Sequence, residues 1–219
     1  MSQDDSKRLR LVLLGAPASG KGTQGQLLAT AFGIPKISTG DMLRAAVKAG
    51  TPMGREAKSY MDRGDLVPDD VILGIIRDEL ARPEYANGVI LDGVVRTVPQ
   101  ADGLERMLES LGRKVEAVVS LEVPDEEIVR RMGVRTVCSS CQTPFSDLKP
   151  GDTCPNCGGV IVRRSDDEPT AVRNRLSVFT AQTAPVFDWY KKNGARLVVV
   201  DANGGVKEVT QRVLHALGR

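Results

Sequence analysis

Histidine is nearly absent from this 219-residue chain, with His215 the single copy. One histidine leaves no room for a Ser-His-Asp hydrolase or a histidine-rich metal centre. Aromatic residues are scarce at 4%. No apolar run approaches the roughly 18–20 residues that a membrane helix needs. Charge of one sign is also lacking: 30 Lys and Arg face 28 Asp and Glu, a net of +2. Such a balance supplies no bulk attraction to nucleic acid. The start, Met1 to Arg8, is polar, and Leu9–Leu14 is a short apolar stretch broken by Arg10. A secretory signal needs an apolar core of roughly 7–15 residues, so a cytoplasmic protein without a membrane partner is expected. What remains, 41% hydrophobic and 26% charged residues, is ordinary globular composition. The length suits one domain carrying insertions.

Cysteine is rare but not scattered. All four copies fall in Cys138-Ser-Ser-Cys141 and Cys154-Pro-Asn-Cys157, with twelve residues between the pairs. Two Cys-x-x-Cys turns place four thiolates around one point, which suits tetrahedral zinc. Pro144, Pro150, Gly151, Pro155, Gly158 and Gly159 supply the turns that bring the pairs together. Two disulfides are the alternative, disfavoured in a reducing compartment. Four protein ligands leave no open position, so the expected metal is structural.

Apolar strands alternate with amphipathic helices along the rest of the chain. Strands are predicted at Leu9–Leu14, Ile34–Ile37, Val89–Asp92, Val115–Val123 and Arg196–Val200. Helices are predicted at 21–32, 41–49, 53–63, 69–82, 99–111, 125–132, 169–192 and 206–217, the seventh bent near Pro185. Alternation of this kind predicts an α/β fold, a five-stranded parallel sheet flanked by helices on both faces. Two segments break it: 38–67 is helical without a strand, and the cysteine segment lacks periodicity. Both read as insertions.

Gly15-Ala16-Pro17-Ala18-Ser19-Gly20-Lys21-Gly22-Thr23 joins the first strand to the first helix. A G-x-x-x-x-G-K sequence in that setting is a phosphate-binding loop: glycines admit phosphate oxygens to backbone N–H groups, and the lysine and helix N-terminus add positive charge. Thr23 is the hydroxyl nearest an expected magnesium ion. Asp92 ends an apolar strand at the same sheet edge, where a carboxylate can hold that ion. A bare strand–helix turn and a carboxylate capping a turn are the bland alternatives.

Taken in order, these segments resemble adenylate kinases of the bacterial type with a zinc-bearing lid. The likeness runs from Leu11 to about Val200. Gly15–Gln24 is similar to the family's phosphate loop, Ile37-Ser-Thr-Gly-Asp-Met-Leu-Arg44 to its AMP-binding segment, and Asp92-Gly-Val-Val-Arg96-Thr-Val-Pro-Gln100 to its Asp-Gly-Phe-Pro-Arg-Thr segment. Arg164-Ser-Asp166-Asp167 and Arg173-Asn-Arg175 are similar to its lid-closing stretch. The resemblance implies a P-loop kinase core (1–37, 68–133 and 168–219), a helical AMP-binding insertion (38–67) and a small zinc-ribbon-like lid (134–167). It implies transfer of the terminal phosphoryl of MgATP onto AMP to give two ADP. It assigns Arg44, Arg96, Thr39, Val67, Gly93 and Gln100 to AMP, with Gln100 reading the base. It sets Arg131 against the ATP adenine and Arg135, Arg164 and Arg175 around the transferred group, with Lys21 and Asp92 completing the catalytic set. Asp166 and Asp167 pair with these arginines when the lid closes, and Cys138, Cys141, Cys154 and Cys157 hold zinc. A monomer without nucleic-acid partners is expected. The acceptor phosphate is already ionised, so no general base is needed and the want of histidine is natural.

The chain departs from that family's pattern in four places. Ala18 replaces a loop glycine, which strains the backbone if φ is positive there. Val94-Val95 replaces Phe-Pro. A trans bond is expected there, with a rebuilt AMP pocket, because a cis bond without proline costs about 3–4 kcal/mol. In that family the ring lies along the acceptor base, so its replacement by valine is expected to weaken AMP binding with transfer retained. Thr136 stands where a second lid arginine is common, and Gly204 replaces a lysine near the adenine. Rival readings are a kinase for UMP, CMP or GMP, and a zinc-ribbon binding module fused to a nucleotide switch.

Overall fold

The computed structural model describes residues 9–219. Its core alternates as the apolar pattern requires: β1 (Arg10–Gly15), α1 (Lys21–Phe32), β2 (Lys36–Ser38), α2 (Thr39–Lys48), α3 (Pro52–Arg63), α4 (Asp69–Leu80), β3 (Val89–Asp92), α5 (Val98–Ser110), β4 (Ala117–Glu122) and α6 (Asp125–Val134). After three short strands, β5 (Thr136–Cys138), β6 (Pro144–Phe145) and β7 (Ile161–Val162), the chain returns through α7 (Pro169–Val178), α8 (Ala184–Lys192), β8 (Leu197–Asp201) and α9 (Val206–Ala216). The five core strands form one parallel sheet in the order β2-β3-β1-β4-β8.

Both faces of the sheet are covered, which explains why its central strands are continuous apolar runs rather than alternating ones. Val12, Leu91 and Val118 pack with Ile76, Leu104 and Tyr190 on one face. Leu11, Leu13, Ile90 and Val119 pack with Leu28 and Val213 on the other. The carboxyl ends of β1, β3 and β2 meet at one edge, where Leu13 and Ser38 both stand in register with Asp92. A parallel sheet binds ligands at such an edge, where the strand order reverses.

Two regions project from it. In the first, α2 and α3 form a helical hairpin around Gly50-Thr51-Pro52. The Ser38 hydroxyl caps α2, and the Thr51 hydroxyl accepts from Gly54 N at 3.0 Å to cap α3. Gly54 lets the two helices touch: a Cβ there would lie 2.1 Å from Ala46 O. In the second, β6-β5-β7 form a small antiparallel sheet. Its strands are two or three residues long, too short to show a period in sequence. Thr136 is buried in its middle strand and its hydroxyl donates to Leu148 O at 3.0 Å. The position carries no lid arginine. Its hydroxyl pins the turn at Leu148 instead.

The long helix expected over 169–192 is interrupted. Residues Phe179–Thr183 form a π-helical turn between α7 and α8. Pro185, at the start of α8, has no N–H to offer the preceding turn, so the ladder widens there rather than breaking. The turn carries the Thr183 hydroxyl to Arg96 O, to which it donates at 2.9 Å. His215 is exposed, and Trp189 packs edge-on against Tyr190. Among the described residues no helix is long and apolar enough to cross a membrane.

Gly54→Ala tests the close helix approach. Overpacking of this kind costs about 1–3 kcal/mol, so melting should fall by roughly 2–12 °C. An unchanged melting temperature by calorimetry would mean that the α2–α3 contact is loose.

Candidate active site

A cleft of about 990 Å³ opens over the carboxyl edge of the sheet, between the two projections. The loop at its floor is shaped by backbone geometry. Gly15 has φ 142°, and a Cβ on it would meet Leu121 O at 2.6 Å. Ala18 has φ 59° and Gly20 φ 100°, so the suspected strain at Ala18 is present: its Cβ occupies left-handed backbone that glycine takes freely. Helix α1 begins at Lys21 with no side-chain cap and no acid in its first turn. Its free N–H groups and its dipole are left to an anion.

Lys21 is half-buried and donates to Gly15 O at 2.7 Å and Ala16 O at 2.8 Å. Burial pushes its ammonium down to about 7, against the pull of Asp92; Arg96, Arg175 and Arg135 push the same way as burial. Pro17, Ser19, Gly20, Gly22 and Thr23 line the cleft with it. Ala16 does not; it turns against Ile128 and Met132. Asp92 lies near Gly22, and Lys36 Nζ approaches Asp92 Oδ2 and Asp41 Oδ2 at 3.7 Å each.

Arg44, Arg96, Arg131, Arg135, Arg164 and Arg175 all reach this one cavity. Their environment is costly. Burial, then neighbouring Arg175, lowers Arg96 to about 10. Burial, then Arg44 and Arg135, lowers Arg164 to about 9. Burial also lowers Arg175. The counter-charges come from Asp166 and Asp167, both buried. Arg135 Nε donates to Asp167 Oδ2 at 2.7 Å, and its second nitrogen to Asp167 Oδ1. Arg175 contacts Asp166 Oδ2 at 3.0 Å and Asp167 Oδ1 at 3.2 Å. Burial alone would raise Asp166, but Arg175, Arg164, Arg44 and Arg135 hold it below the usual carboxylate range. Among the residues that line this cavity, three carry a buried polar atom with no hydrogen-bond partner: Ser19 Oγ, Arg44 Nε and Arg164 Nε. Buried donors without partners in a cationic cavity are what an absent polyanion would satisfy.

At one end Arg131 Nε donates to Glu127 at 2.8 Å and a terminal nitrogen to Ala202 O at 3.0 Å, beside Gly204. At the other end Thr39, Val67, Gly93, Val95 and Gln100 line a slot with Leu43, Met61 and Ile72. The Thr39 hydroxyl donates to Gly93 O at 2.7 Å. Val94 is fully buried in the core and does not line the slot; Val95 does. The missing ring was expected to matter at Val94, and its side chain points into packing instead. The chain holds no cis peptide bond among the described residues, as expected for Val94-Val95.

Cys138, Cys141, Cys154 and Cys157 converge, with all four Sγ atoms within 4.8 Å of one another. The Sγ atoms of Cys138 and Cys157 are 3.4 Å apart and those of Cys141 and Cys154 3.7 Å. These distances exclude disulfides, whose bond is about 2.05 Å. They approach the roughly 3.8 Å edge of a tetrahedron of thiolates around zinc. Backbone N–H groups of Ser140 and Cys141 donate to Cys138 Sγ at 3.3 and 3.4 Å. The donor set fits zinc. Thr23 and Asp92 are oxygen donors at the phosphate loop, and they fit a hard ion such as magnesium.

Lys36 and Asp69 were not singled out as site residues from the sequence. Lys36 lies in the strand expected over Ile34–Ile37, but its place beside Asp92 depends on the strand order. Asp69, in the first turn of α4, accepts from Gln100 Nε2 at 2.7 Å and from the Thr97 hydroxyl at 3.0 Å. No local pattern links residues so far apart in sequence.

Comparison with known proteins agrees with the geometry. The family model described as Adenylate kinase matches residues 13–195. An adenylate kinase of Gemmatimonas aurantiaca is 58% identical over 209 residues, covering 94% of this chain and 98% of that protein. Those of Caldicellulosiruptor bescii and Trichlorobacter lovleyi are 46% and 47% identical, each covering at least 95% of this chain and 99% of the relative. A phosphate loop, a crowded arginine cavity and near full-length identity converge on one conclusion: the chain belongs to the adenylate kinase family.

Proposed function

We propose that the cleft takes MgATP at its Arg131 end and AMP at its Gln100 end, and passes the terminal phosphoryl reversibly between them to give two ADP. The observation that carries this reading is the convergence of Lys21 with Arg44, Arg96, Arg131, Arg135, Arg164 and Arg175 on one cavity whose lining holds three unpartnered polar atoms. Cations crowded in a poorly solvated space repel one another, and phosphates relieve that repulsion. The reacting group carries spread negative charge in transit, so fixed cations aimed at it supply most of the rate.

Each residue then has a task. The loop Gly15–Thr23 would wrap the ATP phosphates with backbone N–H groups, and Lys21 would exchange its contacts to Gly15 O and Ala16 O for phosphate oxygens. Arg44 and Arg96 would hold the AMP phosphate in line. Arg135, Arg164 and Arg175 would surround the moving group, and Asp166 and Asp167 keep their guanidinium groups oriented. Magnesium, held with the phosphates near Thr23 and Asp92, would neutralise charge on the phosphate oxygens. No side chain has to remove a proton, because the attacking AMP phosphate is already anionic.

We read residues 38–67 as the AMP-binding insertion, 134–167 as the lid and the remainder as the core. A water-accessible site would lose phosphate to hydrolysis, so the two insertions must close over it. Support comes from Lys48 Nζ, which donates to Ser139 O at 2.9 Å and so joins the tips of both projections. The lid is too small for a core beyond Cys138, Cys154 and Ile161 with Phe145 and Leu148. Zinc on the four thiolates would supply the rigidity that packing cannot. We read the protein as a monomer of the cytoplasm.

A coupled assay with ATP and each of AMP, CMP, UMP and GMP tests the acceptor. AMP should give the highest kcat/KM; a higher value for any other monophosphate would overturn the reading. The zinc role predicts that a chelator, or serine at all four cysteines, loosens the lid before the core. Hydrogen exchange should then rise over 136–162 while the core strands stay protected, and activity should drop. Full activity with unchanged protection would contradict it.

A further inference from the structure

Gln100 is almost fully buried at the start of α5, and both ends of its amide are engaged. Its Oε1 accepts from Arg96 N at 2.7 Å, and its Nε2 donates to Asp69 Oδ1 at 2.7 Å. The same Asp69 oxygen accepts from the Thr97 hydroxyl at 3.0 Å, and that hydroxyl accepts from Gln100 N at 3.2 Å. An amide is nearly symmetric in shape, so packing alone cannot choose between its two orientations. Its partners here can. A backbone N–H only donates and a carboxylate only accepts. Rotating the amide by half a turn would set its NH₂ against the Arg96 N–H and its oxygen against the Asp69 carboxylate, turning two attractions into two repulsions.

The lock matters for the base that Gln100 meets. One N–H and one oxygen lone pair remain unused, and their sides are set by the lock. Adenine presents an amino donor beside a ring acceptor, whereas guanine presents a carbonyl acceptor beside a ring N–H. A free amide could serve either by rotating. We propose that Asp69 is a specificity-determining positioning residue: by accepting from Gln100 Nε2 it holds the amide in the orientation that serves a 6-amino purine and refuses a 6-oxo purine. Asp69 does not line the cleft and acts only through Gln100. The assignment rests on the reading of Gln100 as the residue at the acceptor base.

The test is Asp69→Asn, nearly identical in shape. Asparagine can accept from or donate to Gln100, so the substitution removes the Asp69 half of the lock and leaves only the Arg96 N–H to orient the amide, while keeping the packing. A hydrogen bond to a charged group is worth about 10- to 100-fold in an equilibrium. The AMP-over-GMP ratio of kcat/KM should therefore fall by about tenfold or more, with KM for AMP raised and KM for ATP unchanged. A purely structural role would lower activity with both acceptors in parallel and leave that ratio alone. Gln100→Ala, assayed beside it, separates the two layers of the reading. A fall in the ratio for both variants supports the lock. A fall for Gln100→Ala alone would overturn the role of Asp69 and keep the base contact. A fall for Asp69→Asn alone would overturn action through Gln100. An unchanged ratio in both would overturn the base contact, and the lock with it.

Discussion

Repulsion between buried cations is the constraint on which this structure turns. Lys21, Arg44, Arg96, Arg135, Arg164 and Arg175 share one cavity, and burial with mutual proximity weakens the hold of Lys21, Arg96, Arg164 and Arg175 on their protons. A fold gains nothing by gathering such groups unless a ligand repays it. The parallel sheet serves this end by bringing a helix N-terminus, Asp92 and two long insertions to one edge. The near-neutral total charge conceals the arrangement, because the cations are gathered here while acids elsewhere balance the sum.

The lid meets the constraint from the other side. Asp166 and Asp167 pair with Arg135 and Arg175; on the proposed reading these pairs would offset cation repulsion as a lid over 134–167 closes. These carboxylates are buried and bound by several donors, which makes them orienting groups rather than surface pairs of little worth. On the proposed reading, zinc held by the four thiolates would brace the segment that carries them.

Much of this was legible in the sequence, and the exceptions have physical causes. Core strands and helices emerged within a few residues because burial imposes their periodicity. The phosphate loop was legible because its glycines answer a backbone need, and Ala18 was marked as strained for the same reason. The cysteine pairs announced their cluster by spacing. The lid's strands were not legible, since two-residue strands have no period. The π-helical turn was read as a bend at Pro185, because proline signals an interruption but not its form. Val94 was expected along the base, but which of two adjacent valines faces the slot is decided by tertiary packing. The Asp69–Gln100 contact joins two helix starts from separate segments, and neither residue signals it alone. The arginines were legible only as an ordered series, since any one of them would pass for a solvated surface charge.

Melting of the free protein with added ligands tests the central claim most directly. Inorganic tripolyphosphate carries the charge of the substrates without their bases, and adenosine carries a base without the charge. If relief of cation repulsion dominates, tripolyphosphate should raise the melting temperature by several degrees, as a ligand at about 100 times its Kd adds about 2.7 kcal/mol. Adenosine at the same concentration should have little effect. Equal stabilisation by adenosine, or none by tripolyphosphate, would contradict the account.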